Sequence, residues 1–524
     1  MRDIIQKIVL LSTLIAFVTV VNAQSKQYTK KERSTFLDAD SYYIYGDYLT
    51  AKNLFLEIYA TDSLFPEINY KIGDAYYELK KLDSAMHYLA RGVEYNLDAK
   101  YLIAKIYLHN GDLAPSKRMA NGFKSEMNLR YSIYTYDDVD RLIEQINYAE
   151  EMMASPESVR IVNLGKNINT ENAEYVPLIA SDESVLVFTS RRIREGNGLS
   201  PTGEPFEDIY ISRKNGDEWE EAKPIEGQVN TPKHDACVGL SPDGERLFVY
   251  RSNKNLIGGD IYESVLVDGK WSVPIKMGDN INNEESIEPS ASMSLDEKTF
   301  YFSSNREGGY GGFDIYRVKM LPFGKWSEPK NLGPTINTPY DDDAPFIHPD
   351  GKTLYFSSKG HQGMGGFDIF KSEYDGDKWS KVENLGFPTN TTKDDIYFVI
   401  SANKQHGYYA SDKKGGYGKH DIYMIDYLEK SLRQSVVRGN VSDKKSGEKL
   451  YANINVHKKG ADMPDTYIAN GNSGDFIFLV DPDVSYEIEV KVMGYEKYIT
   501  TVNYSVEELM KAQNINFELT KIAE

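Results

Sequence analysis

The chain has 524 residues and a net charge of −19, with 60 Lys and Arg against 79 Asp and Glu. That length exceeds one ordinary core, so three or four domains are expected. The acidic balance, with no long basic run, argues against nucleic-acid binding as a main task, and a single cysteine, Cys237, excludes an internal disulfide framework.

The chain opens with a targeting pattern. Arg2 and Lys7 flank a short charged start, Ile8 to Val21 is an apolar run, and Val21-Asn22-Ala23 sets small residues at −3 and −1. This reads as a cleavable signal peptide over residues 1–23, with an apolar run too short for a comfortable membrane span. The mature chain would start at Gln24, with no cysteine there for lipid attachment. No later segment approaches 18 consecutive apolar residues, so no transmembrane segment is expected after cleavage.

Residues 24–155 follow a helical pattern. Ala39, Tyr42, Ala51 and Phe55 recur 34 residues later as Gly73, Tyr76, Ala85 and Leu89, and a weaker copy runs Ala104, Tyr107, Ser116, Ala120. Small residues let paired helices approach, and aromatics fill the space between. "DDVDRLIEQINYAEEMM" reads as a closing helix. The period resembles the tetratricopeptide repeat, which implies an α-solenoid with one concave face. A plain helical bundle is the alternative. Tyr42, Tyr43, Tyr76 and Tyr77 are candidate contacts on that face, because tyrosine offers wide area at low entropic cost. Core packing explains them equally well.

Residues 156–430 repeat one phrase. "SSNREGGYGGFDIY" at 303–316 returns as "SSKGHQGMGGFDIF" at 357–370 and "ASDKKGGYGKHDIY" at 410–423. Its Asp-Ile-Tyr landmark falls at Asp208, Asp260, Asp314, Asp368 and Asp421, at intervals of 52, 54, 54 and 53. Trp219, Trp271, Trp326 and Trp379 keep the same register, each followed by a Gly-then-Asn phrase such as "LGPTIN". Turns such as "SPDGERLFVY" and "HPDGKTLYFSS" read as hairpins. Each unit then holds four short strands, one blade of a five-bladed β-propeller. The fifth unit lacks its Trp strand, and an orphan "SVRIVNLGKNIN" stands at 158–169. That N-terminal strand is expected to complete the last blade. The Asp-Ile-Tyr aromatic is expected to pack on the neighbouring blade. Residues 431–524 are alternating strands broken by Gly, Asp and Pro, a small β-sandwich. The fold class is thus α plus all-β: solenoid, propeller, sandwich.

The unit "APFIHPDGKTLYFSSKGHQGMGGFDIF" resembles the WD40-like PD40 repeat, also found in the TolB propeller. Gly439, Val441, Asp443, Gly447, Ala452, Gly474, Phe476, Tyr486, Gly494 and Tyr495 stand where the carboxypeptidase regulatory-like domain has its pattern. The whole order is similar to the periplasmic OmpA-family proteins of Bacteroidota, including the peptidoglycan-linked component of type IX secretion and gliding. That resemblance implies a periplasmic, outer-membrane-associated scaffold whose partner is an outer-membrane β-barrel or another envelope protein. Those relatives end in an OmpA-like peptidoglycan-binding domain, while this chain stops at Glu524 after the sandwich. Peptidoglycan binding is therefore not carried over.

One column of the repeat stays acidic: Glu174, Asp235, Glu288, Asp342 and Asp395. Five-fold repetition would set these carboxylates around one mouth of the channel. They could accept backbone N–H bonds, hold a calcium ion, or supply an acid–base pair, as in glycosidases built on five-bladed propellers. Repetition itself favours the structural role, for the Asp-Ile-Tyr aspartates too. There is no Walker A, Gly-x-Ser-x-Gly or His-Glu-x-x-His motif, and the eight histidines show no metal spacing. His348 replaces Ser in one turn. Cys237 reads as buried packing, with His234 on the opposite strand face. The expectation is a non-enzymatic scaffold with no cofactor other than the candidate calcium. The alternatives are a carbohydrate-active or glycan-binding propeller and a TolB-like envelope sensor.

Overall fold

The structure is a computed structural model. It describes residues 28–522, apart from 62, 195–197, 201–203, 253–257, 414, 429–433 and 512. The expected signal peptide lies outside the described residues. By its contacts the chain forms two compact units, Met1–Glu150 and Glu151–Glu524.

The first unit holds helices α1 (Lys30–Ile44), α2 (Tyr48–Tyr59), α3 (Pro66–Glu78), α4 (Leu82–Gly92), α5 (Asp98–His109), α6 (Leu113–Glu126) and most of α7 (Tyr136–Ala154). Thr29 and Glu32 form a capping box that starts α1, and Asp47 caps α2 through Thr50 N. Pro66 opens α3, where its missing N–H is no loss. From α1 to α6 each helix packs on its predecessor. The repeated small residues explain how: Ala39, Ala51, Ala85, Ala104 and Ala120 are fully buried. A Cβ on Gly73 would come 2.7 Å from Leu89 N, and one on Gly92 2.6 Å from Tyr70 Cα, so α3 and α4 meet only with glycine at both points. In the weaker copy Ser116 Oγ donates to Ala104 O at 2.7 Å. Val139, Leu142 and Ile146 of α7 bury against Tyr101 and Phe123.

The second unit begins with five antiparallel sheets. Their inner strands are Glu174–Ile179, Asp235–Leu240, Ala291–Met293, Asp342–Ile347 and Asp395–Ile400. Each inner strand contacts the next, and the fifth returns to the first, so the sheets close a propeller-like ring. Within each sheet the second, third and outer strands follow in chain order, except that Val159–Asn163 supplies the outer strand of the fifth. It runs antiparallel to Asp421–Tyr427, with Val159 opposite Tyr427. The ladder slips between Tyr175/Leu178, Cys237/Gly239, Asp343/Phe346 and Ile396/Val399. Val176, Ala344 and Tyr397 sit at these bulges with φ of 51°, 51° and 63°, a strained region for side chains with a Cβ. Pro177 and Pro345 lie within two of the slips, where the ladder does not need their N–H.

The Gly-then-Asn phrases end in a clamp. Asn169, Asn230, Asn282, Asn337 and Asn390 each accept the backbone N–H and donate to the carbonyl of one isoleucine: Ile422, Ile209, Ile261, Ile315 and Ile369. All ten bonds measure 2.7–3.0 Å. The isoleucine is the middle residue of Asp-Ile-Tyr. In four sheets the aromatic that follows packs on a second-strand aromatic of its own sheet, as Tyr210 does on Phe188 and Tyr316 on Phe302, and in the second sheet Tyr262 stands opposite Val249. These ring contacts lie within one sheet, not across two as expected, because the third strand pairs directly with the second. Sheets meet instead through Phe248–Phe300, Tyr355–Phe398 and Trp219–Tyr408.

Beyond the ring, Ser435–Asp443 pairs with Asp475–Val480 and, in parallel, with Gln513–Leu519. A four-stranded sheet of Asp465–Ile468, Asn453–Lys458, Ser485–Lys491 and Tyr498–Asn503 covers them, with Val441, Ile454, Phe478 and Ile488 in the shared core. This β-domain belongs to the same compact unit as the ring. Val436 and Ile477 bury against Ala402, and Arg438 pairs with Asp182 at 2.9 Å.

The Asn169 clamp closes the ring on residues far apart in sequence. Asn169→Ala leaves the buried Ile422 N–H unanswered and should lower unfolding free energy by about 2–3 kcal/mol. Urea denaturation checks this, and a change below about 0.5 kcal/mol would deny the clamp its role.

Candidate functional site

The five acidic residues of the repeat stand at or just before the start of the inner strands, and all five are fully buried. Their oxygens meet donors from their own sheets and from the loops that lead into them. Glu174 accepts Thr170 N and Oγ1, both at 2.7 Å, and Ser190 Oγ at 2.7 Å. Asp235 accepts Thr231 N and Oγ1 at 2.6 Å. Asp342 accepts Thr338 N at 2.5 Å and Ser358 Oγ at 2.5 Å, and Asp395 accepts Thr391 N at 2.7 Å and Ser411 Oγ at 3.0 Å. Glu288 takes Ser286 Oγ at 2.6 Å and Ser304 Oγ at 2.7 Å, while its Oε2 has no partner among the described residues.

A second column, which the motif search passed over, faces the first. Arg192, Arg251 and Arg306 reach Glu174, Asp235 and Glu288 at 3.4, 2.9 and 3.3 Å. His361 and Lys413 hold the same place in the fourth and fifth sheets. Each of the five also donates to a loop carbonyl, of Ile168, Val229, Ile281, Ile336 and Pro388 in turn, at 2.6–2.8 Å. Four of them lie beside an aromatic pair: Arg192 on Phe188 and Tyr210, Arg306 on Phe302 and Tyr316, Lys413 on Tyr409 and Tyr423, His361 on Phe356 and Phe370. The signal was available, since a basic residue follows each acid by 16 to 19 positions.

The ring axis encloses about 30 Å³, room for one or two water molecules. Its lining is Val176 to Ile179 and the matching residues of the other inner strands, mainly apolar, and none of the five carboxylates is part of it. Calcium wants six to eight oxygens around one point. Here four of the carboxylates accept both backbone N–H and O–H donors and Glu288 accepts two hydroxyls, donors that a cation would oppose. No group of three or more His, Cys, Asp or Glu is placed to hold a metal among the described residues.

The Asp-Ile-Tyr aspartates order the glycine turns. Asp314 accepts Tyr310 N at 2.6 Å and Gly311 N at 3.0 Å, and Asp421 accepts Tyr417 N and Gly418 N at 2.6 and 2.9 Å. Asp368 does the same with Met364 N and Gly365 N. A Cβ on Gly311 would lie 2.1 Å from Tyr340 O, and one on Gly365 2.3 Å from Lys393 O. These turns therefore touch the next sheet, and only glycine fits. Asp208 uses Arg194 instead, and Asp260 uses Lys276. Cys237 is fully buried beside Thr189 Oγ1 at 3.3 Å, and burial pushes its thiol up to about 12. His234 pairs with Glu207 at 2.9 Å, away from the thiol. His348 bonds Asp350 at 2.9 Å, as the serines of the other turns bond their Asp or Asn.

In the helical unit the four candidate tyrosines have different surroundings. Tyr42 is exposed. Tyr43 donates to Asp74 Oδ2 at 2.8 Å; burial pushes that carboxyl up to about 6. Tyr76 stacks on Tyr88 at 5.6 Å. Lys80 and Lys105 stand over the Tyr77 ring.

No family model and no curated protein matches the sequence. Solved structures similar in part include the putative TolB from Agrobacterium tumefaciens, at 16% identity over 62% of this chain and 97% of that one, with a TM-score of 0.31. The alpha-L-arabinofuranosidase from Lactobacillus brevis aligns at 13% identity over 49% of this chain and 92% of its own, TM-score 0.32. A glycosyl hydrolase from Bacteroides ovatus aligns at 11% over 51% and 87%, TM-score 0.32. Likeness at this level decides nothing about activity, and the ring rests on its own strand order.

Burial pushes Asp342 up to about 7 in the folded ring, against about 3.9 for a free aspartate. The folded state thus keeps a proton that the unfolded chain releases. Its contribution is full below about pH 4 and is lost as pH rises through about 7. The stability of Asp342→Asn relative to the parent should therefore rise from pH 4 to 7, by at most about 1.4 kcal/mol per pH unit. Denaturant unfolding of both proteins at several pH values reads this directly, and a flat difference would contradict it.

Proposed function

We propose that the protein is a non-enzymatic scaffold of the bacterial periplasm that holds an outer-membrane β-barrel protein, as part of a secretion or gliding type of assembly. The helical unit is its tetratricopeptide module, the ring is a five-bladed propeller of the PD40 kind, and the last β-domain is a carboxypeptidase regulatory-like sandwich. One observation carries the non-enzymatic part of this reading. The carboxylates best placed by repetition to do chemistry already accept donors from their own sheets and from the loops leading into them, and none of them lines the cavity on the ring axis. A glycosidase needs a carboxylate pair flanking a bound sugar, and the burial of these five supports a structural role for them instead. Binding by surfaces is what remains for such a ring, and the helical unit adds exposed aromatic and aliphatic residues, among them Tyr42, Tyr45, Leu37 and Leu64.

The test is a crosslinked pull-down of the tagged mature protein from native envelopes, with mass spectrometry of what is held. Stoichiometric recovery of an outer-membrane β-barrel is expected, and deletion of residues 24–155 should abolish it if the helical module makes the contact. Retention on glycan or peptidoglycan, with no protein recovered, would overturn the scaffold reading.

A further inference from the structure

The outer hairpins of the first, second and fourth sheets turn on polar residues: Asn215-Gly216, Asp268-Gly269 and Asp375-Gly376-Asp377. In the second sheet both turn residues are left-handed, with φ of 49° and 74°, the geometry that favours Asn-Gly and Asp-Gly. The third sheet departs from this chemistry. Leu321-Pro322-Phe323-Gly324 joins the strands Asp314–Leu321 and Lys325–Trp326. Phe323 and Gly324 keep the two positive φ angles, 69° and 73°, yet a bulky side chain is strained in that region.

Nothing within the chain accounts for the aromatic. Phe323 is fully exposed and makes no ring contact among the described residues, and Leu321 is 46% exposed. Leu321 stands opposite Lys325 and Met320 opposite Trp326, so Pro322, Phe323 and Gly324 lie beyond the ladder. The result is a convex apolar apex on a rigid hairpin.

Basic side chains surround the base of this apex. Lys319 and Lys325 flank it on the two strands, and Met320 N donates to Lys298 O at 2.8 Å, which brings the turn bearing Lys298 alongside. All three lysines are exposed, and none has an ion-pair partner among the described residues. By contrast Lys214, Lys276, Lys359, Lys371 and Lys404 of the same ring are paired with carboxylates. Of the nearby acids, Asp296 borders a cavity shared with the β-domain, and Glu328 comes two residues after Trp326. In a chain of net charge −19, three unneutralised lysines below an apolar apex are a local exception.

We propose that this apex is a membrane-contact point: Phe323 and Leu321 enter the acyl boundary of an anionic lipid surface while Lys298, Lys319 and Lys325 meet its headgroups. Peripheral binding draws on both terms, buried apolar area and the attraction of lysines to anionic lipid. Lipid fits this apex better than protein does. A protein would have to supply a matching pocket and acidic groups together, whereas an anionic bilayer offers both across its whole surface. The contact is weak and reversible, since one apolar tip buries less than a single acyl anchor. It does not rest on the scaffold reading, because purified protein and lipid suffice to detect it.

The test uses the mature chain, residues 24–524, with vesicles of phosphatidylethanolamine and phosphatidylglycerol, and with phosphatidylcholine vesicles for comparison. A polarity-sensitive dye on Phe323→Cys reports the apex, while Cys237 is fully buried and stays unlabelled in the folded protein. The dye should shift to the blue on the anionic vesicles, and the parent should co-sediment with them. Phe323→Asp copies Asp268, so it should fold with unchanged or higher thermal stability, yet bind anionic vesicles about tenfold more weakly. Lys319→Gln together with Lys325→Gln should weaken binding by about the same factor, as should added salt for the parent. Equal binding by the parent and Phe323→Asp overturns the proposal, and so does a dye that stays unshifted on lipid. A dye that shifts only when solubilised envelope proteins are added identifies a protein partner and overturns it too.

Discussion

At the start of each third strand, one isoleucine carbonyl takes the last backbone N–H from the outer-strand side, and the isoleucine N–H is answered by an asparagine side chain. Such a group must find a partner, and an asparagine side chain presents the same donor and acceptor as another peptide. The five clamps therefore stand in for strand where strand has ended. Much of the repeat follows from this constraint. In four sheets asparagine trails isoleucine by 21 or 22 residues, and the Gly-then-Asn loop must fold back over the end of the outer strand. In the fifth sheet the same geometry is met by Asn163 and Asn169, from the far end of the unit.

The paired columns of acid and base follow a similar logic. A buried carboxylate alone is unfavourable, so the ring gives each one at least one hydroxyl, four of them a threonine backbone N–H, and three an arginine. The fourth sheet has His361 in the basic place, and burial lowers its affinity for a proton. Asp342 has no fixed cation beside it, and burial pushes its carboxyl up to about 7. Chemistry that looks catalytic when spaced along a sequence is here directed into the walls of the fold.

The period of the repeat, the missing last strand and its replacement by residues 159–163 were legible in the sequence, because each is a matter of register. The small residues of the helical pairs were legible for the same reason. What the sequence did not disclose was direction. Nothing in the spelling of Glu174 or Asp395 says whether the carboxylate faces an axis or its own sheet; that depends on where a threonine four residues earlier places its N–H. Glu245 sits in "SPDGERLFVY", a phrase that reads as a solvated turn, and its burial comes from a loop more than 200 residues later. Tyr42 and Tyr43 are neighbours in sequence, yet one is exposed and the other holds Asp74.

The closing strand also bears on how the molecule is made. Val159 emerges early and must wait for Tyr427, which follows after the whole ring. Contacts at such separation form late and slowly. Until they form, the strand Asp421–Tyr427 presents an open edge that a matching segment from another copy can occupy as well as its own. For a chain with this topology, the misassembly to expect at high concentration is a dimer that has exchanged residues 159–163.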